Sequence, residues 1–517
     1  MDFRGDDRGV TVQIGAVLLL GFLVVSLSMY QATVVPQENE EVEFRHNQRA
    51  VSDMQEVRNG ILRTAATGSS APTAVELGTQ YPARTVFVNP APPGGTLSTS
   101  PLGNVTIRNA KADDPRTRDA DFPETDDFWN GDAHAYATKA LSYSPSYARY
   151  RNAPTTVYEN GVLYNRFGEN DTIAVTDQSL VAGRRISLVT LSGDLSRGGT
   201  GTLSVSPRAV SQSTRTVTVA RDDSRAGNVS ILLSTRLDAD AWRSLLEESG
   251  QYDGTGDESN ERYVHAVNDA GPDAVELVFE RNATYQLRLS NVAVGANAGD
   301  TEPAYLTSVD GIEFPYEGQK ESFVVEVRDR YNNPVGSQVE AAAARGTVPN
   351  GTVEEAGRYR YVYEAPDASG SDTVNVTVPA LSDSAFDPSD PEDLRYDVAV
   401  QTVNGGDDGS DDGPSETSAI DLTVGPVNDN SDSAKLTVSA QATAQDADGD
   451  DDLERMTFEL VDGDGQVLRS KSYNLNGDSV TRNVNFNNVE RGTNPHTFRV
   501  TAVDADGNVQ EDERTVG

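Results

Sequence analysis

Between Arg8 and Glu38 the chain carries no charged residue. Within that run, GVTVQIGAVLLLGFLVVSLSMYQATVV supplies at least about 20 mostly apolar positions, the length an α-helix needs to cross a hydrocarbon core. A secretory signal would have a shorter apolar region closed by a small-residue cleavage site, and none follows before Pro36. The run is therefore expected to stay in place as a transmembrane helix over 10–35, preceded by a charged leader over 1–9. Arg4 and Arg8 before the run are balanced by Arg45 and Arg49 after it, so a count of basic residues gives no orientation. Arg8 abuts the apolar core, however, while Glu38, Glu40, Glu41 and Glu43 crowd the far side, and the N-terminus is expected on the inner face. The lipid bilayer is thus the first expected partner. The expected location is the cell membrane, single-pass, with the bulk of the chain extracellular.

Charge and cysteine content narrow the classes further. Against 42 Lys and Arg stand 81 Asp and Glu, a formal charge of −39, and only five of the basic residues are lysines. A nucleic-acid partner is excluded as an expectation, because a polyanion is repelled and no basic stripe offers counterion release. The absence of cysteine removes disulfides, thiolate zinc sites, iron–sulfur clusters and cysteine nucleophiles together. At 517 residues the chain is long enough for about three domains with cores of their own.

Past the apolar run, Val51, Met54, Val57 with Arg58, Ile61, Leu62 and Ala65 recur at three and four, which predicts an amphipathic stalk helix over 36–67 that ends at Gly68 and Pro72. The two helical segments together would span about 85 Å at 1.5 Å per residue, with a kink at Pro36.

The stretch DRGVTVQIGAVLLLGFLVV resembles the N-terminus of archaeal type IV pilins and pilin-like proteins, in which a short charged leader ends in Arg/Lys-Gly/Ala before an apolar helix. The resemblance covers about 20 residues. It implies cleavage by a prepilin peptidase after Gly9, with Arg8, Gly9 and Val10 forming the processing site and Val10 the mature N-terminus. Many pilins carry Glu at the fifth mature position, where this chain has Ile14 beside Gln13. Acidic charge spread over folded modules with scarce lysine likewise resembles the proteomes of extreme halophiles, where molar salt shortens the Debye length to about 3 Å and screens carboxylate repulsion.

After residue 72 helical periodicity gives way to short alternating runs such as TVFVN, NVTIRN, RISLVTLSG and RTVTVA, separated by Gly/Asn/Asp/Pro clusters. They read as antiparallel β-sheet packed as a sandwich, a β-rich module over 68–298. Asn160-Gly161 predicts a type I′ hairpin, and DADAWRSLLEES one helix capped by Asp238 or Asp240 with Trp242, Leu245 and Leu246 inward. Over 302–404, Val325, Val327, Asp329, Asn332, Asn333, Pro334 and Val335 are similar to the strand and turn of bacterial Ig-like domains of the invasin/intimin type, which implies a sandwich whose Pro334 turn holds its two sheets together. The segment 405–417 has no apolar residue and is expected to be an acidic flexible linker. The last module, 418–517, resembles cadherin-like or polycystic-kidney-disease-type Ig repeats. The expected fold is therefore mainly β with a long N-terminal α-helix: a single transmembrane helix and a pilin-like β-rich module followed by two Ig-like β-sandwiches.

Candidate sites are few. Asp446, Asp448 and Asp450, with Asp451 and Asp452 beside them and Asp504, Asp506 and Asn508 near the last turn, cluster the hard oxygens that Ca²⁺ prefers, so a calcium site is one expectation and a solvated acidic loop the other. No EF-hand fits, since position six from Asp446 is Asp451 and position twelve Thr457. No other cofactor is expected. Six sequons, at Asn104, Asn170, Asn228, Asn282, Asn350 and Asn375, suit an exported chain. The four histidines, His46, His134, His265 and His496, are scattered, and no H-E-x-x-H, G-x-S-x-G or P-loop string occurs, so the chain is not expected to be an enzyme. Trp129 with Tyr136, Tyr143, Tyr147 and Tyr150 reads either as a sugar-stacking surface or as the edge of a β-core. The expected role is a membrane-anchored structural or adhesive surface protein of a halophile envelope, partnered by other envelope or pilin-like proteins or by surface glycans. The alternatives are a minor pilin-like filament subunit and an extracellular hydrolase or carbohydrate-binding receptor.

Overall fold

The computed structural model describes residues 7–516 except 86, 113–123, 169–170, 254–261, 313–314, 382–384, 402–419, 426, 430–434, 447–452, 464, 476–478, 493 and 505–508. The calcium candidates Asp448, Asp450 and Asp506, the sequon Asn170 and the acidic segment 405–417 fall outside the described residues.

The N-terminal helix is one element, Asp7–Thr67, 61 residues long, and Pro36 lies inside it. The two helical segments expected on either side of residue 36 are continuous. Along the helix's apolar stretch the described side chains are exposed: Val17, Leu20 and Phe22 are 68%, 61% and 75% exposed. Its second half buries Val35, Asn39, Glu43, His46, Ala50, Met54, Val57, Ile61 and Ala65, every third or fourth residue. Val51 and Leu62, expected on the buried stripe, are only half-buried. The stripe instead continues toward the N-terminus through three polar residues.

The chain divides into two compact units, Met1–Tyr305 with Arg328–Val335, and Leu306–Val327 with Gly336–Gly517. In the first unit a nine-stranded sheet is centred on the long strand Gly94–Arg108 paired with His134–Ser146, and a six-stranded sheet on Tyr285–Ala293. One core fills the space between them, built on Trp129, Tyr136, Ile186, Leu188, Trp242, Leu277 and Phe279. A second core joins the helix residues Ala50, Met54, Val57, Ile61 and Ala65 to Leu97, Leu141, Tyr143, Leu163 and Val292. The sheets are not wholly antiparallel: Tyr285–Ala293 runs parallel to Arg185–Ser192, from Gln286 opposite Arg185 to Ala293 opposite Ser192. The chain between them is long enough to make the return crossover that a parallel pair requires.

Local chemistry shapes the turns. Asn160 and Gly161 have φ of 48° and 84°, the two positive values a type I′ hairpin needs, between Glu159 and Val162. The short helix Ala239–Glu248 starts where the Asp238 side chain accepts the Ala241 N–H at 2.8 Å. It buries Trp242, Leu245 and Leu246.

The second unit contains two Ig-like sandwiches. In one, a four-stranded sheet carrying Lys320–Asp329 and Arg358–Glu364 faces a three-stranded sheet of Glu340–Ala343, Gly370–Thr377 and Asp393–Val400. In the other, two four-stranded sheets enclose Leu436, Val438, Met456, Phe458, Leu460, Phe498 and Val500. The strands alternate buried and exposed positions, as in Val374, Val376, Leu394, Tyr396 and Val398 inward. Both sandwiches belong to one compact unit, and Arg469 of the second lies 3.5 Å from Asp310 of the first.

Candidate functional site

The feature that combines exposed apolar surface with buried polar chemistry is the N-terminal helix and its seat on the first module. Glu43 sits at the centre of that seat. Its carboxylate accepts the backbone N–H of Ala148 at 3.0 Å, of Arg149 at 2.8 Å and of Tyr150 at 2.6 Å, and the Tyr81 hydroxyl donates to it as well. Three successive amides converging on one anion form a nest, and the glutamate supplies the charge they favour. Burial, then the bond to Glu43, pushes the Tyr81 hydroxyl well above its ordinary range, so it stays a donor.

One turn further, Nδ1 of His46 lies 2.6 Å from the Tyr147 hydroxyl, and burial pushes the imidazole pKa down. Asp53 accepts the Glu76 N–H at 2.9 Å, and Arg58 donates to the carbonyls of Gly161 at 2.8 Å and Asp177 at 2.9 Å. Polar side chains thus fix the rotation of the helix on the sheet, while the apolar stripe supplies the burial.

The tyrosine tract serves this seat and the core beneath it. Trp129, Tyr136 and Tyr143 are fully buried, so of the two readings of the tract these rings fill the β-core and have no surface to offer a sugar. Tyr150 packs edge-on against Phe44 with centroids 5.5 Å apart, and Tyr147 stacks on Tyr150 at 6.1 Å. Both therefore line the helix seat.

A second polar cluster forms where Arg328–Val335 joins the first unit. Trp129 Nε1 donates to Asn332 Oδ1 at 2.7 Å and Tyr305 OH to the same atom at 3.0 Å. Asn333 Nδ2 donates to Ser211 Oγ and to the Leu289 carbonyl, and its Oδ1 accepts the Thr214 N–H at 2.8 Å. Tyr136 OH donates to the Arg330 carbonyl at 3.0 Å. Asp329 caps the turn by accepting the N–H of Tyr331 and of Asn333, and burial raises its pKa. The turn expected to hold together the two sheets of its own sandwich is thus a plug in the first module's core. Asn332, at φ 70°, combines tolerance of the left-handed region with an acceptor for two buried donors.

Among the calcium candidates, Asp446 ends the strand Lys435–Asp446 opposite Ile420, and Asp504 is buried at the end of His496–Asp504 opposite Leu453. Among the described residues no three His, Asp or Glu are grouped to hold a metal. Arg8, Gly9 and Val10 lie within the helix, which starts at Asp7. His134 Nε2 donates to the Phe128 carbonyl at 3.0 Å, His265 is exposed and His496 buried, so the four imidazoles stand apart. Asn104, Asn282 and Asn350 are exposed, whereas Asn228 and Asn375 are half-buried.

The sequence pattern does not reveal the buried hydrogen-bonding roles of Glu43, Asn332 and Glu159. The last is a fully buried carboxylate whose Oε1 accepts Thr235 Oγ1 at 2.7 Å and the Arg236 N–H at 2.8 Å; burial raises its pKa. A signal for Glu43 was present, since Asn39, Glu43, His46 and Ala50 continue the three-and-four spacing.

No protein-family model matches the chain. An uncharacterised protein of Archaeoglobus fulgidus is 23% identical over 451 residues, covering 82% of this chain and 69% of that protein. Among solved structures the chain is similar to the Yersinia pseudotuberculosis adhesin InvE, at 16% identity and TM-score 0.16, covering 43% of this chain and 62% of that one, so it spans less than two thirds of InvE. It is also similar to the Escherichia coli adhesin FdeC, at 12% identity and TM-score 0.17 over 58% of this chain and 91% of that one. Domains 4–9 of the surface layer protein SbsC match at 12% identity and TM-score 0.18, over 60% and 47%. At such scores these likenesses assign no function.

Proposed function

We propose that the chain is a single-pass membrane protein, N-terminus inside, that displays its β-rich modules outside the cell as a non-catalytic structural or adhesive component of the envelope. The observation that carries this reading is the single helix whose exposed apolar half runs without interruption into a half locked on a β module. Such a helix transmits the position of the membrane to the modules rigidly, because its seat is fixed by both a charged nest and an apolar stripe. The two sandwiches extend the displayed mass, and their acidic surface suits a high-salt exterior. The partner in this reading is another envelope protein or a surface glycan. The test is deletion of residues 418–517 in cells: attachment to a surface or to other cells is expected to fall while the membrane-bound remainder persists. Unchanged attachment would remove the adhesive role of the last module.

A second reading, a minor pilin-like subunit processed after Gly9, is favoured by the same helix, which packs its C-terminal half on a sheet. Mass analysis of the N-terminus of membrane-derived protein is expected to show a chain starting at Val10, with Gly9→Asp blocking the cut. Intact residues 1–9 in cells with active prepilin peptidase would leave a plain anchor. A calcium site at Asp446, Asp448, Asp450, Asp504 and Asp506 remains a proposal that calorimetric titration with Ca²⁺ tests directly.

A further inference from the structure

The apolar run has a defined length. From Val10 to Tyr30 the helix rises about 30 Å at 1.5 Å per residue, the thickness of a hydrocarbon core. At the level where that span ends, the ring of Tyr30 stacks on Phe87, with centroids 4.8 Å and planes 26° apart. Phe87 and Val88 form a loop tip, and Val88 is 77% exposed, against 75% for Phe22 on the helix.

The backbone of that tip is unusually self-sufficient. Gln31 Nε2 donates to the Val88 carbonyl at 2.9 Å, and the Val88 N–H donates to Gln31 Oε1 at 3.3 Å. One side-chain amide therefore pairs both polar groups of the exposed residue. In water that pairing gains little, because solvent would serve equally well. In lipid it removes the main obstacle to entry, an unpaired peptide group.

Polar groups begin on the other side of the ring stack. The Tyr30 hydroxyl donates to Glu38 Oε1 at 3.1 Å, so the aromatic body faces the apolar run and the hydroxyl points away from it. Arg84 lies 2.6 Å from Glu38 Oε2, and its Nε donates to Asn89 Oδ1 at 3.0 Å. This is the apolar-to-polar order of a membrane interface, where tyrosine is favoured.

We propose that Phe87 and Val88 form a second membrane-contacting element, a loop tip that enters the outer edge of the bilayer beside Tyr30. The inference rests on the reading that the helix spans the membrane. With two contacts rather than one, the first module is held at a fixed height and rotation above the lipid instead of swivelling on a single rod.

Because the chain has no cysteine, single substitutions take a fluorophore uniquely. The full-length protein in phosphatidylcholine vesicles is labelled with an environment-sensitive dye at Leu20→Cys, Val88→Cys or Glu40→Cys, and spin labels are placed on the lipid acyl chains. The dyes at 20 and 88 are expected to shift to the blue and lose most of their emission to the quencher, while that at 40 does neither. A quenched dye at 20 with a dye at 88 that behaves like that at 40 overturns the loop proposal and leaves the anchor standing. A dye at 88 that shifts to the blue without lipid quenching also overturns it, since the tip is then covered by protein, as by a second copy. An unquenched dye at 20 overturns the membrane reading and the loop proposal together.

Discussion

The amide N–H of Tyr150 donates to Oε2 of Glu43 across 2.6 Å, tying the loop after strand His134–Ser146 to a buried carboxylate on the N-terminal helix. The bond is one of three backbone amides on the same anion, so the helix is held at a particular rotation and height.

Loss of that anion has a measurable cost. Glu43→Ala is expected to destabilise the helix seat by about 3 kcal/mol, since hydrogen bonds to charged groups contribute about 1.5–3 kcal/mol each and do not add fully. Glu43→Gln, which keeps one acceptor oxygen, should lose about half as much. Hydrogen exchange of the amides over 38–67 reads the effect directly. Unchanged exchange would mean that the apolar stripe alone holds the helix.

The plug of Asn332 gives a second test. Asn332→Ala leaves the buried Trp129 indole N–H without its acceptor, at about 1–3 kcal/mol, and replaces an asparagine, whose side chain tolerates the left-handed region, by an alanine that does not at φ 70°, at about 1 kcal/mol. Asn332→Gly removes only the second cost and should be milder. Urea unfolding followed by tryptophan fluorescence measures both; equal losses would show that the backbone conformation contributes nothing.

Two buried groups give pH slopes of opposite sign. Burial raises the Glu159 pKa above 4.5, so its contribution is fully present below that value and is lost as pH rises through the folded pKa. Burial lowers the His46 pKa below 6.5, so the unfolded chain takes up a proton that the folded one refuses, and stability falls as pH drops below 6.5. Glu159→Gln removes the titrating group, and is expected to abolish the first slope and to raise stability near pH 7 because no charge is then held in the buried site. Melting temperatures from pH 4.5 to 8 check both signs. A Glu159→Gln protein less stable than the parent at pH 7 would reject the argument.

With 81 carboxylates against 42 cations, the folded state is expected to gain stability from dilute buffer to molar KCl, as the Debye length falls to about 3 Å and repulsion is screened. A melting temperature that is flat or falls over that range would count against the high-salt reading.

Several elements follow from local pattern alone. The uncharged run to Glu38 dictates a long apolar helix, Asn160-Gly161 a type I′ turn, Asp238 a helix start, and the alternating Val/Thr/Ile runs a chain that is mainly β, because each depends on neighbours within one turn or one strand. Other features depend on partners far away in the chain. The parallel pairing of Arg185–Ser192 with Tyr285–Ala293 joins residues about a hundred positions apart, and no periodicity encodes such a choice. Nor does composition reveal that Asn332 fills the core of the preceding module, or that the amides of residues 148–150 converge on Glu43. A polar residue at a buried position is legible only once its partner is in place, since the same side chain without that partner would stay in water.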